Sequence, residues 1–194
     1  MLNQRIIILL DVNTIQRYFW GGEKPVKMCK RMLGKLRSIF AWTRLMRIQV
    51  ISIIPSPTPK VKCKKSKYTC RYDCEVFAAS NSTDRPQPHD QFIFCNRCTD
   101  PFDEPLIDRV LTEIGGNWSN NLEFLVIGIG KELTNTVLGL LQRRKRVTVL
   151  SDVVRFPGLN AEKELLKMEG KGAKIITLEK FAEERSQNGK GKNR

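Results

Sequence analysis

Two residues at the end of the first apolar run carry the plainest chemistry. In Leu9-Leu10-Asp11-Val12-Asn13 a carboxylate and a carboxamide stand two positions apart. Asp103, Glu104 and Asp108 follow in a later acidic segment. Brought together, Asp11, Asn13, Asp103 and Asp108 would form an oxygen-ligand set for a hard divalent ion, Mg²⁺ or Mn²⁺. Such an ion activates water and neutralises charge on a scissile phosphate. The plainer alternative is that Asp11 caps a helix and the later acids complement a helix dipole.

The cysteines form a second group. Cys70 and Cys74 make a C-x₃-C pair, and Cys95 and Cys98 a C-x₂-C knuckle. Two such pairs can build a tetrahedral thiolate site for structural zinc, with Cys63 or His89 as replacement ligands. Inert buried thiols, or a redox pair at Cys95 and Cys98, are the alternatives. Cys29 falls on the apolar side of its helix and belongs to the core.

A third feature is Gly128-Ile129-Gly130 between a strand and a helix. The third glycine of a dinucleotide fingerprint would fall at Leu133, so that reading is weak. A tight turn exposing helix-start amides, with Lys131 beside it, makes a better phosphate cradle.

Charge points to a polyanion. The 194 residues carry a net charge of +14, and fourteen Lys/Arg against one acid, Glu23, place +13 of it between Gly21 and Tyr72. Lys60, Lys62, Lys64, Lys65, Lys67 and Arg71 interleave with Tyr68 and Tyr72. Rings that stack on bases and cations that meet phosphates suit RNA. A solvated basic face, or a basic helix lying on an anionic membrane, is the alternative.

The elements that must position these groups alternate along the chain. Arg5–Leu10, Ile48–Ile54, Gln91–Cys95, Leu122–Ile129, Arg146–Ser151 and Ala173–Leu178 are expected strands. Val26–Met46, Asp103–Ile114, Glu132–Gln142 and Ala161–Met168 show helical spacing. Strands with continuous rather than alternating apolarity are buried on both faces. The expected fold is therefore α/β, a mostly parallel sheet with helices on both faces, and ligands belong at the carboxyl ends of its strands. Residues 1–182 form one domain, with a basic, cysteine-containing insertion at about 55–90 and a basic tail over 183–194. No apolar run approaches the roughly 18 residues of a membrane span. Arg5 is followed by too short an apolar stretch for a secretory signal, so an intracellular setting, cytoplasm or organelle matrix, is expected.

The segments LLDVN, DEPLIDRVL and LEFLVIGIGKELTNTVLGLLQRRKRVTVL, closed by KIITLEKF, resemble in order and wording the NYN domain, a branch of the PIN-like ribonuclease fold. The resemblance covers about 1–20 and 90–182. It implies a metal-dependent endoribonuclease with Asp11 as the first family acid and Asp103 or Asp108 as the second. The family's Ser-Gly-Asp, small residue, Asp-Phe is replaced by Ile127-Gly128-Ile129-Gly130-Lys131-Glu132, so both acids of that motif are Ile129 and Lys131. The resemblance thus implies an RNA-binding protein with impaired or lost catalysis, a subunit of a ribonucleoprotein assembly. Its alternative is an active endoribonuclease using Asp11 and Asp108.

Overall fold

The computed structural model describes residues 6–13, 30–55, 91–96, 98–114 and 122–190. Within them β1 (Ile6–Val12), β2 (Gln49–Pro55), β3 (Gln91–Asn96), β4 (Leu122–Ile129), β5 (Arg146–Arg155) and β6 (Lys174–Ile176) form one six-stranded sheet. Every neighbouring pair is parallel, in the order β3-β2-β1-β4-β5-β6. The expected α/β class with a mostly parallel sheet is what forms.

Helices pack on both faces because β1 and β4 are apolar on both. Ile8, Leu10 and Val12 point to one face with Phe124 and Val126, where Ile107, Leu111, Leu133, Val137, Leu140 and Met168 cover them. Those residues come from α2 (Pro105–Glu113), α3 (Lys131–Gln142) and α4 (Ala161–Glu169). Leu9, Val50, Leu125 and Ile127 point the other way, onto Leu36, Ile39 and Phe40 of α1 (Lys30–Leu45) and Phe181 of α5 (Leu178–Lys190). None of the described helices is long and apolar enough to cross a membrane.

Several boundaries differ from expectation for local reasons. β5 runs past Ser151 to Arg155 because its register against β4 slips, Val126 facing Val149 but Gly128 facing Val154. The acidic segment does not begin a helix at Asp103. Asp100 caps a short 3₁₀ turn over Pro101–Asp103, accepting from the Phe102 amide at 3.0 Å, and α2 starts at Pro105. The expected tail at 183–194 is helical as far as Lys190. Arg185 pairs there with Glu123 at 3.0 Å, and the Phe181 ring meets Trp42 edge-on at 5.4 Å. The expected insertion at about 55–90 lies outside the described residues beyond Pro55.

Strand order reverses between β1 and β4. The chain lays β2 and β3 on one side of β1, then returns to put β4 on the other. Crossover helices diverge at such a point and leave a crevice at the carboxyl ends of the strands. The two strands close tightly there. A Cβ on Gly128 would lie 2.9 Å from Val12 Cβ and press on the Val12 carbonyl oxygen. Gly34, in the exposed interior of α1, has nothing near such an atom.

The two glycines should therefore respond oppositely to alanine. Gly128→Ala should lower unfolding stability by about 1–3 kcal/mol through backbone displacement. Gly34→Ala should raise it by about 0.5–1 kcal/mol through helix propensity. Urea denaturation of the two variants checks both signs.

Candidate functional site

The crevice is built from the last residues of three strands and the first turn of α3. Asp11 follows Leu9 on the α1/α5 face by strand alternation and is completely buried. Its sheet partner on β2 is Ser52, equally buried, whose Oγ lies 3.5 Å from Asp11 Oδ2. A carboxylate without solvent is costly unless the fold supplies polar neighbours. Ser52 is such a neighbour, set into an otherwise aliphatic strand.

Asn13 ends β1 in a left-handed conformation, φ 65°, which asparagine tolerates better than most residues. Its amide donates to the Ile53 carbonyl at 2.8 Å, and its side-chain Nδ2 donates to the Ile129 carbonyl at 3.3 Å. Asn13 thereby bridges β2 and β4 across the end of β1. Gly130, φ 99°, then turns the chain into α3, its amide held by the Arg155 carbonyl at 2.8 Å. The Glu132 carboxylate folds back over this turn. A Cβ on Gly130 would stand 2.5 Å from Glu132 Oε2 and 4.0 Å from Asn13 Nδ2. Asp11 and Ser52 thus form one pair at the switch point, and Asn13 and Glu132 lie about Gly130 at the start of α3.

The other expected acids are carried away from it. Asn135 Nδ2 holds the Thr99 carbonyl at 3.0 Å, and Phe102 packs on Gly139. The segment therefore descends along α3 from its first turns toward its end. Asp103 is exposed on this path. Asp108 reaches Arg143, the residue that closes α3, with Nη2 2.5 Å and Nε 3.0 Å from Oδ1. A twelve-residue helix is about 18 Å long, so Asp108 stands near the opposite end of α3 from Gly130. Arg143 also stacks on the Phe102 ring, 3.9 Å from its centre. Asp108 is thus tied to Arg143.

Lys131 is exposed at the first position of α3. Lys60, Lys62, Lys64, Lys65, Lys67, Arg71, Cys70 and Cys74 lie outside the described residues, as does the Cys95 side chain. Cys98 is a free, half-buried thiol. Its amide donates to Asn96 Oδ1 at 3.0 Å and its carbonyl accepts from Asn96 Nδ2 at 2.7 Å. Among the described residues no three of His, Cys, Asp and Glu gather as a metal site.

Ser52 escaped the sequence reading altogether. Its only signal was a hydroxyl inside Val50-Ile51-Ser52-Ile53-Ile54, which becomes meaningful once β2 is paired with β1. Thr134 also went unnoticed. It is buried on α3 and donates to Glu164 Oε2 at 2.7 Å, joining α3 to α4.

Comparison with protein-family models and with curated protein sequences yields no match. Solved structures do match. An isochorismatase-like hydrolase from Alkaliphilus metalliredigens superposes with a TM-score of 0.65 at 17% identity, over 94% of this chain and 97% of that one. The pyrazinamidase of Pyrococcus horikoshii, solved with zinc, gives 0.59 at 16% identity, over 89% and 99%. The MAR1 ribonuclease of Caenorhabditis elegans matches less well than these two, 0.53 at 16% identity, over 91% and 79%. Identities this low establish the fold alone.

With the MAR1 ribonuclease as the exception, the predominance of isochorismatase-like hydrolases and amidases among the neighbours overturns the NYN resemblance. The RNA-binding, nuclease-like and ribonucleoprotein readings fall with it. An aliphatic strand ending in Asp, glycines before a helix and a late acidic helix are common to many parallel α/β sheets, and they do not separate one such fold from another.

If Asp108 is only a tie, removing it should act on stability alone. The pair is partly exposed, with side chains 26% and 40% accessible. Asp108→Ala should cost about 1 kcal/mol or less, and thermal unfolding measures that cost. A mixing experiment with Asp11→Asn should show the two changes additive in stability.

Proposed function

We propose that this chain is a hydrolase that cleaves the amide bond of a small polar compound at the carboxyl edge of its sheet, with Asp11 as the acid–base group. The observation that carries the reading is the full burial of Asp11 at the topological switch point, beside the Ser52 hydroxyl. The likeness in fold to a pyrazinamidase, a nicotinamidase and an N-carbamoylsarcosine amidase supports the bond type.

The chemistry assigns one task to each part of the crevice. Asp11 accepts a proton from the attacking water as the oxygen bonds to the amide carbon. It returns that proton to the leaving nitrogen as the C–N bond breaks. Ser52 orients the carboxylate through its hydroxyl. The first-turn amides of α3 oppose the negative charge that develops on the carbonyl oxygen. Asn13 holds β1, β2 and β4 in register beneath these groups.

Release of ammonia from nicotinamide, pyrazinamide and a carbamoylated amino acid tests the proposal. Asp11→Asn, checked for folding by circular dichroism, should lower kcat/KM by about 10²–10⁴-fold. A wild-type protein inert on all three, or a folded Asp11→Asn protein as active as wild type, overturns the reading.

The four-cysteine site carries over as a second element of the proposal. Cys70, Cys74, Cys95 and Cys98 are the ligand set their spacing suggests for structural zinc. Metal analysis of the purified protein should find about one equivalent of zinc, and a chelator should lower the melting temperature. Metal-free protein that melts at the same temperature refutes this element.

A further inference from the structure

A cavity opens on the α1/α5 face, toward the β5–β6 side of the sheet. Its volume is about 380 Å³, and Arg31, Met32, Lys35, Asp152, Thr177 and Glu179 line it. That volume falls within the roughly 300–1,000 Å³ of small-molecule sites. Asp152 lies in the stretch of β5 where the register against β4 shifts, three surplus residues falling between Val149 and Val154. Asp11 is not among the lining residues, and β4 separates β1 from β5 in the sheet.

The charges on its walls restrict what can enter. Arg31 and Lys35 are one helical turn apart on α1 and share a flank. Asp152 and Glu179 face them from β5 and α5. Lys35 and Asp152 neutralise each other in an ion pair. The other Asp152 oxygen accepts the Leu178 amide at 2.9 Å, and Thr177 Oγ1 accepts the Lys180 amide at 3.2 Å, so both serve the start of α5. This leaves one cation and one anion uncommitted. Neither Arg31 nor Glu179 has an ion-pair partner among the described residues.

A simple anion would meet Arg31 but also the two carboxylates. A simple cation would meet Glu179 but also the two basic groups. A dipolar molecule satisfies both walls at once, its carboxylate on Arg31 and its ammonium on Glu179. Met32, buried at the base, offers apolar contact to a side chain. We propose that this cavity binds a free amino acid or a similar small zwitterion. The site is independent of Asp11 and stands or falls apart from the amidase reading.

Thermal-shift and calorimetric titration with the twenty L-amino acids, each up to about 10 mM, provides the test. At least one should raise the melting temperature with saturation. Its N-acetyl and its amide derivatives, each lacking one charge, should bind at least about tenfold more weakly. Arg31→Gln and Glu179→Gln should each weaken the parent amino acid by a similar factor, while Asp11→Asn leaves it unchanged. Three results would overturn the proposal. No amino acid shifts the transition; a derivative with one charge binds as well as its parent; or Asp11→Asn abolishes binding while Arg31→Gln does not.

Discussion

The closeness of β1 and β4 at Val12 and Gly128 governs the rest of the molecule. Parallel neighbours stand about 4.8 Å apart, and a side chain at Gly128 would strike the Val12 backbone. With the two strands in contact, Asn13 can span from Ile53 to Ile129. Gly130 can then turn under the Arg155 carbonyl and start α3 beside the end of β1. Separation of these strands would dissolve the crevice, although no side chain in it had changed.

Charged side chains fasten the helices to this frame with unequal effect. Asp108–Arg143 and Arg109–Glu113 are open to water, which screens them. Glu123 is different. It is buried at the start of β4, where Thr148 Oγ1 donates to it at 2.7 Å and Arg185 reaches it from α5. Truncating Arg185 would remove a cation from beside a carboxylate held in the interior, a costly change. Lys35–Asp152 performs a comparable task between α1 and β5.

Much of the architecture was legible because buried parallel strands have a plain signature. Beyond Glu123 the strand Leu122–Ile129 is apolar on both faces, and it is a central strand. Met32, Leu36, Ile39 and Phe40 recur at helical spacing and face the sheet. The position of Asp11 and Asn13 at the carboxyl end of a buried strand was legible too, since the apolar run stops there. Ser52 was not, because its partner is set by strand pairing 41 residues away in the chain. The separation of Asp103 and Asp108 from Asp11 was not legible, because acids at a helix start look alike whether they face a ligand or an arginine. Only the packing of Phe102 on Gly139 decides which way that segment runs. The family resemblance failed for the same reason: its motifs describe a strand, a turn and an acidic helix, and say little about strand order.

The strand order also bears on how the chain becomes structured as it is made. β1 precedes the other five described strands in the chain and lies inside the sheet, between β2 and β4. Asn13 finds its Ile129 partner only after 116 further residues have emerged. Until then one edge of β1 has unpaired backbone and aliphatic side chains on both faces. Pairings this distant in sequence slow folding and prolong exposure of such an edge. The interval before β4 arrives is the period when a nascent chain of this protein most needs a chaperone, and when a foreign strand could most readily take the place of its own.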